Sequence, residues 1–127
     1  MLNEKGGALK AYLCIVALLH GFFCVAELFP WRMPLALWLS LKQLKPRDDF
    51  SPAQQDLVAT IVHNAAIYNA IVAGGLVYAA MSSPHGDVAR VMLLGAAGAG
   101  VFGALTLRST LAALQAVLGI IGLYLAK

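Results

Sequence analysis

The residues able to do chemistry in this chain are few, and nearly all lie inside long apolar runs. His20 and Glu27 stand seven residues apart in the first run, a spacing that returns to nearly the same face of a helix at about 100° per residue. The second run holds His63, Asn64, Tyr68 and Asn69, with Thr60, Asn64 and Tyr68 at i, i+4 spacing, and the last run contributes Gln115. A histidine titrates near neutrality, so beside a carboxylate it can relay a proton or share acid and base roles. Amide and phenol groups around such a pair can orient a small amphipathic ligand of the lipid or quinone class. Each residue also has a plainer reading. The amides can simply hydrogen-bond across helices, and the imidazoles can sit buried with one partner. Glu27 can snorkel to water, and Trp31 can anchor at the membrane interface.

Composition makes these polar groups weighty. Of 127 residues, 61% are apolar and 12% charged, against roughly half and a quarter in soluble domains. A soluble fold of about 150 residues still leaves roughly 30% of its unfolded surface in water. So much apolar surface calls for a bilayer, where a polar group at a helix centre costs about 2.5 to 3.5 kcal/mol on insertion scales and marks a functional position by default. Disorder and coiled coil are excluded, and a net charge of +3 is too small for a basic nucleic-acid binder. Cys14 and Cys24, ten residues apart on one helix, are separated by about 15 Å and do not pair.

The elements that must position these groups are four helices over about 7–29, 52–81, 87–107 and 109–126, a single transmembrane domain spanning 1–127. The first ends at Pro30 and is read as a retained span, since Glu4 precedes it and no small-residue cleavage site follows. Residues 30–50, with Trp31, Trp38 and alternating leucines and cations, form an amphipathic stretch at the interface. Ser51, Pro52 and Gln54 make a capping box. Asp87 is a cap for the third helix, where Gly95, Ala99, Gly103 and Ala96, Gly100, Ala104 form two small-residue stripes that permit close packing on both sides. Short loops favour an antiparallel up-and-down bundle. Five cations (Arg32, Lys42, Lys45, Arg47, Arg108) on one side against four (Lys5, Lys10, Arg90, Lys127) on the other lean toward a cytoplasmic loop 30–51 in the cell membrane.

Counting inward from the loop, His20 lies ten residues before Pro30, and His63 and Asn64 lie eleven and twelve after Pro52. The two levels coincide about 15 to 18 Å from the loop side, near the bilayer midplane. The expectation is a polar cavity with Glu27 at its mouth, opposite Asp56 to Thr60, and with His20, Asn64 and Tyr68 further in, His20 approaching Asn64.

This pattern resembles a family of small four-helix membrane proteins known as domain of unknown function 1304. The likeness rests on His20, on Glu27-Leu-Phe-Pro-Trp31, on Asn64-Ala-Ala-Ile-Tyr68-Asn69 followed by Ala73-Gly-Gly-Leu76, and on Gly100-Val-Phe-Gly-Ala104 with Gln115. Ala65 and Ala66 stand where the family has Gln-Gly. The resemblance implies the four-helix membrane fold and supports a shortlist of His20, Glu27, Trp31, Asn64, Tyr68, Asn69 and Gln115, with no chemistry or cofactor attached.

Three functions compete. One is a cavity that binds a small amphipathic ligand or relays protons. Another is an accessory subunit of a larger membrane complex or a homo-oligomer, held through the glycine-rich third helix. The last is a haem-binding cytochrome, with His20 and His63 as axial ligands. Helices three and four offer no interior Glu or His for a di-metal centre, and no dinucleotide, P-loop or nucleophile-elbow motif occurs.

Overall fold

The computed structural model describes residues 2–31, 34–35 and 51–127. Among them are four α-helices and no strand: α1 (Leu2–Leu28), α2 (Pro52–Ser82), α3 (Asp87–Leu107) and α4 (Thr110–Leu125). The first three are long and apolar enough to cross a membrane. The 16 residues of α4 rise only about 24 Å. Most of the amphipathic stretch expected over 30–50 lies outside the described residues.

Helix ends follow local chemistry. Ser51 caps α2: its hydroxyl accepts from the Gln54 amide at 3.3 Å, and the Gln54 side chain accepts from the Ser51 amide at 2.9 Å, with Pro52 in the first turn. The cap of α3 is Gly86 and not Asp87, which sits one residue inside the helix and meets Arg90 at 3.6 Å on the surface. An acid in the first turn still suits the positive end of the helix dipole. Arg108 ends α3 in the left-handed region (φ 51), and Ser109 then caps α4 by accepting from the Ala112 amide at 3.3 Å.

Two heptad-like stripes bring α1 and α2 together. On α1, Leu9, Leu13, Val16, His20 and Phe23 are buried and Glu27 is half-buried, at alternating steps of four and three. On α2 the matching stripe is Ala59, Val62, Ala66, Asn69, Ala73, Leu76 and Ala80, again at steps of three and four. Such spacing keeps one seam facing a partner helix. Other large α2 side chains point outward: Ile61, Ile67, Tyr78 and Met81 are all exposed, as suits a lipid-facing surface.

The α3–α4 pair is held by glycine. A methyl group on Gly100 would lie 2.3 Å from the Ala116 backbone nitrogen, and one on Gly119 would lie 2.6 Å from that of Ala97. Only glycine allows this approach, and dispersion contacts between close backbones replace the missing hydrophobic drive inside lipid.

The tightest packing lies at one end of the molecule. There Leu13 and Val16 of α1, Leu76 and Ala79 of α2, Leu93 of α3 and Ala126 form one buried cluster. Tyr12 donates its hydroxyl to the Leu118 carbonyl at 2.6 Å, and the Arg90 Nε donates to the Ala126 carbonyl at 3.1 Å. Toward the other end the two helix pairs separate.

Candidate functional site

Where the pairs separate, they flank a half-open cavity of about 630 Å³. One wall comes from α1 and α2 and carries His20, Phe23, Glu27, Tyr68, Asn69 and Val72. The opposite wall comes from α3, with Val91, Met92, Gly95, Ala99 and Gly103. The first residues of α4 close the far side with Leu111, Ala112 and Gln115, joined by Ser109. The lining is mainly apolar, and its polar groups are concentrated on the α1–α2 wall.

That polar wall is a connected chain of hydrogen bonds. Asn69 donates its amide Nδ2 to Glu27 Oε2 at 2.7 Å. Its carbonyl is thereby turned to His20, whose Nδ1 lies 2.7 Å from Asn69 Oδ1. A carbonyl only accepts, so the network assigns an imidazole proton to Nδ1, and in the neutral ring Nε2 is then a lone pair. His20 is 1% exposed, and its Nε2 has no hydrogen-bond partner among the described residues. Phe23 meets the imidazole edge-on at 5.9 Å and 80°, holding the ring plane.

The seam residues explain why these three side chains meet. His20 and Glu27 occupy the same stripe of α1 one heptad apart, and Asn69 occupies the stripe of α2 that faces them. One amide therefore reaches both.

The expected meeting of His20 with Asn64 does not occur. Asn64 is exposed and is not part of the cavity lining. It lies five residues from Asn69, which at about 100° per residue turns it some 140° from the seam. The expected level was also wrong. Counting from Pro30 and Pro52 assumed that the two helices end flush, whereas Trp31, just beyond α1, stacks on His63 at 4.0 Å and 28°. Pro52 therefore projects about 16 Å beyond that contact along α2. For the same reason Glu27 meets Asn69 and not the Asp56–Thr60 turn.

Of the other shortlisted residues, Tyr68 and Gln115 line the cavity, Tyr68 being largely exposed at its edge. Trp31 does not line it and packs on His63 instead. His63 is likewise outside the lining. Its Nε2 is buried with no partner among the described residues. Among the described residues no group of three His, Cys, Asp or Glu side chains could hold a metal ion.

One group of lining residues was read differently from sequence. Both small-residue stripes of α3 are expected to pack against helices, yet only part of them does, Gly103 lying against Ala112 of α4. Gly100 abuts α4, but Gly95 and Ala99 are exposed toward the cavity, and a methyl group on Gly95 would meet nothing within 4 Å. Composition alone did not separate small residues that admit a helix from those that leave room.

Residues 14–126 match the family described as Protein of unknown function (DUF1304). The chain belongs to that family. No curated protein and no solved structure matches it. The DUF1304 match spans the whole cavity lining, from His20 to Gln115. Within the Asn64-to-Asn69 motif it is the last residue that joins His20 to Glu27, while the first faces outward.

Proposed function

We propose that this DUF1304 protein is a four-span, antiparallel up-and-down bundle of the cell membrane whose cavity binds a small amphipathic ligand of the lipid or quinone class. On this reading the loop 30–51 lies at the cytoplasmic interface. The observation that carries the reading is the hydrogen-bonded row of Glu27, Asn69 and His20 set into an otherwise apolar cavity of about 630 Å³. That volume is within the roughly 300 to 1,000 Å³ of small-molecule sites, which likewise pair an apolar lining with a few convergent polar groups. If the polar row were only glue between α1 and α2, it would not need to border open space. Glu27 and His20, joined through one amide, are also placed to hold or pass a proton beside a bound head group.

The test uses the contrast between two glycines of α3. A methyl group on Gly95 or on Gly98 meets nothing within 4 Å, but only Gly95 lines the cavity. Mass spectrometry and absorption spectra of the detergent-purified protein should reveal a copurifying amphipath. Gly95→Phe should abolish it, whereas Gly98→Phe should retain it with an unchanged melting temperature. Equal retention by both variants, or purification with no such molecule and no binding of added lipids or quinones, would overturn the ligand reading and leave a packing or subunit role.

A further inference from the structure

The outline of the cavity says where its occupant comes from and how it lies. Resting on the ligand reading above, we infer that the site takes a lipid sideways from the bilayer, through the gap between α2 and α3. The lipid lies parallel to those of the leaflet on the 30–51 side, its head at Glu27 and Gln115 and its chain directed toward Met92.

The open edge supplies the first step. Among the lining residues of α2 and α3, Tyr68 is 71% exposed and Val91 60%, and Ile71, Gly95 and Ala99 are exposed as well. On α1 the lining residues His20 and Phe23 are buried, and on α4 Ala112 and Gln115 are half-buried, with Leu111 37% exposed. The cavity therefore opens between α2 and α3, beyond the point where Gly75 meets the Met92 side chain. Exposed apolar side chains border that edge, Ile67 one turn from Ile71 and Phe102 two turns from Gly95. Gly95 and Ala99 stand on either side of the midpoint of α3, which spans Asp87–Leu107. At that depth the gap faces acyl chains and not water, so a ligand resident in the bilayer reaches it without leaving the membrane.

The level of the polar groups supplies the direction. Glu27 is the last residue but one of α1, next to the 30–51 segment. Its partner Asn69 lies six residues from Gly75, about 9 Å along α2 from the Met92 contact. On the opposite wall Gln115 precedes Ala116, which abuts Gly100, eight residues and about 12 Å along α3 from Met92. In the antiparallel bundle proposed above, the two amides thus stand within about 3 Å of one level. The exposed Asn64, one turn from Tyr68 on the border of the gap, falls at the same end. Toward Met92 the lining turns apolar, with Val72 and Val91. A polar head held at Glu27 and Gln115 leaves its chain to run past Ala99 and Gly95 in that direction.

Length agrees with a lipid of a single leaflet. The lining of α3 runs from Val91 to Leu107, a rise of about 24 Å. One leaflet with its head-group region is half of roughly 40 to 45 Å, about 20 to 22 Å.

The experiment is photolabelling of the full chain in proteoliposomes. The probes are a monoacylglycerol and a phosphatidylethanolamine, each carrying a diazirine either beside the ester or at the chain end, with peptide mass spectrometry as the readout. The chain-end probes should label Val72, Val91 or Met92, and the ester-side probes Leu111 to Gln115. Gly95→Phe should lower both signals about tenfold while leaving the label on lipid-facing Leu105 unchanged. The route is read with Asn64→Cys and Phe102→Cys together, on a Cys14→Ala, Cys24→Ala background, since neither Asn64 nor Phe102 lines the cavity. A bismaleimide bridge between the two thiols should slow cavity labelling about tenfold against the same protein unbridged. Cavity labelling with the two ends reversed, or a rate the bridge does not change, would overturn this inference and leave the cavity a ligand site. Labelling of Leu105 with none in the cavity, from every probe, would overturn both this inference and the ligand reading.

Discussion

At the scale of single residues, the two asparagines of α2 should behave in opposite ways. Asn69 satisfies His20 and Glu27 together. Asn69→Leu leaves an imidazole N–H and a carboxyl oxygen unpaired, at about 1 to 3 kcal/mol for each buried group, and the melting temperature in detergent should drop accordingly. Asn64 is exposed, so Asn64→Leu should stay within about 0.5 kcal/mol of the parent, as surface changes usually do. If the two variants melt alike, the hydrogen-bonded row is not holding α1 to α2. Glu27→Gln keeps an acceptor for the Asn69 amide while removing the acid. It should therefore leave melting nearly unchanged and abolish any proton exchange at the site, measured as proton uptake on ligand binding. A large loss of stability would instead assign Glu27 a structural role.

At the scale of elements, the distinction lies within α3. Gly100 faces the Ala116 backbone, where an added methyl group would approach to 2.3 Å. Backbone cannot give way as the end of a flexible side chain can. Gly100→Ala should thus destabilise by about 1 to 3 kcal/mol, the usual range for overpacking. Gly95→Ala, five residues earlier, should be neutral or slightly stabilising, because alanine has the better helix propensity by about 1 kcal/mol and the space is open. A thermal melt of the two variants side by side reads this directly. Similar losses in both would mean that α3 packs on its two stripes alike. The same reasoning places Gly75, where an added methyl group would meet the Met92 side chain at 2.7 Å. That neighbour is flexible, so the α2–α3 contact should tolerate alanine better than the α3–α4 contact does.

At the scale of the whole molecule, the stability is uneven. The cluster of Leu13, Leu76 and Leu93 ties α1, α2 and α3 at one end, with Leu118 and Leu123 of α4 packed against it, while the opposite end is divided by the cavity. Hydrogen exchange should accordingly protect Leu76–Ala80 and Leu93–Ala97 more strongly than the α2 residues near Ala65, since local opening is easiest where apolar contacts are fewest. Uniform protection along α2 would contradict a molecule packed at one end and open at the other. The four-span reading has its own check: reporters fused after Lys10 and at Lys127 should locate to the same compartment, and opposite compartments would overturn it.

The chain's own residues determined whatever depends on local order. The excess of apolar residues implied helices suited to a bilayer, and Ser51, Pro52 and Gln54 marked the start of α2 because capping is satisfied within a single turn. The seven-residue spacing of His20 and Glu27 placed them on one face for the same reason. The seam on α2 was also legible, since Ala59, Ala66, Ala73 and Ala80 recur every seven residues and Asn69 lies among them. Following the polar residues at i, i+4 favoured Asn64 and Tyr68 over that small-residue frame, although small residues are what let two helices approach in lipid. Only the tertiary structure decided how far α2 overhangs α1, which asparagine joins histidine to glutamate, and which glycines of α3 border a cavity. Those outcomes depend on the relative register of separate helices. Register is set by packing summed over whole seams and by where the connecting segment lets the second helix begin, so no local spacing along one helix contains it.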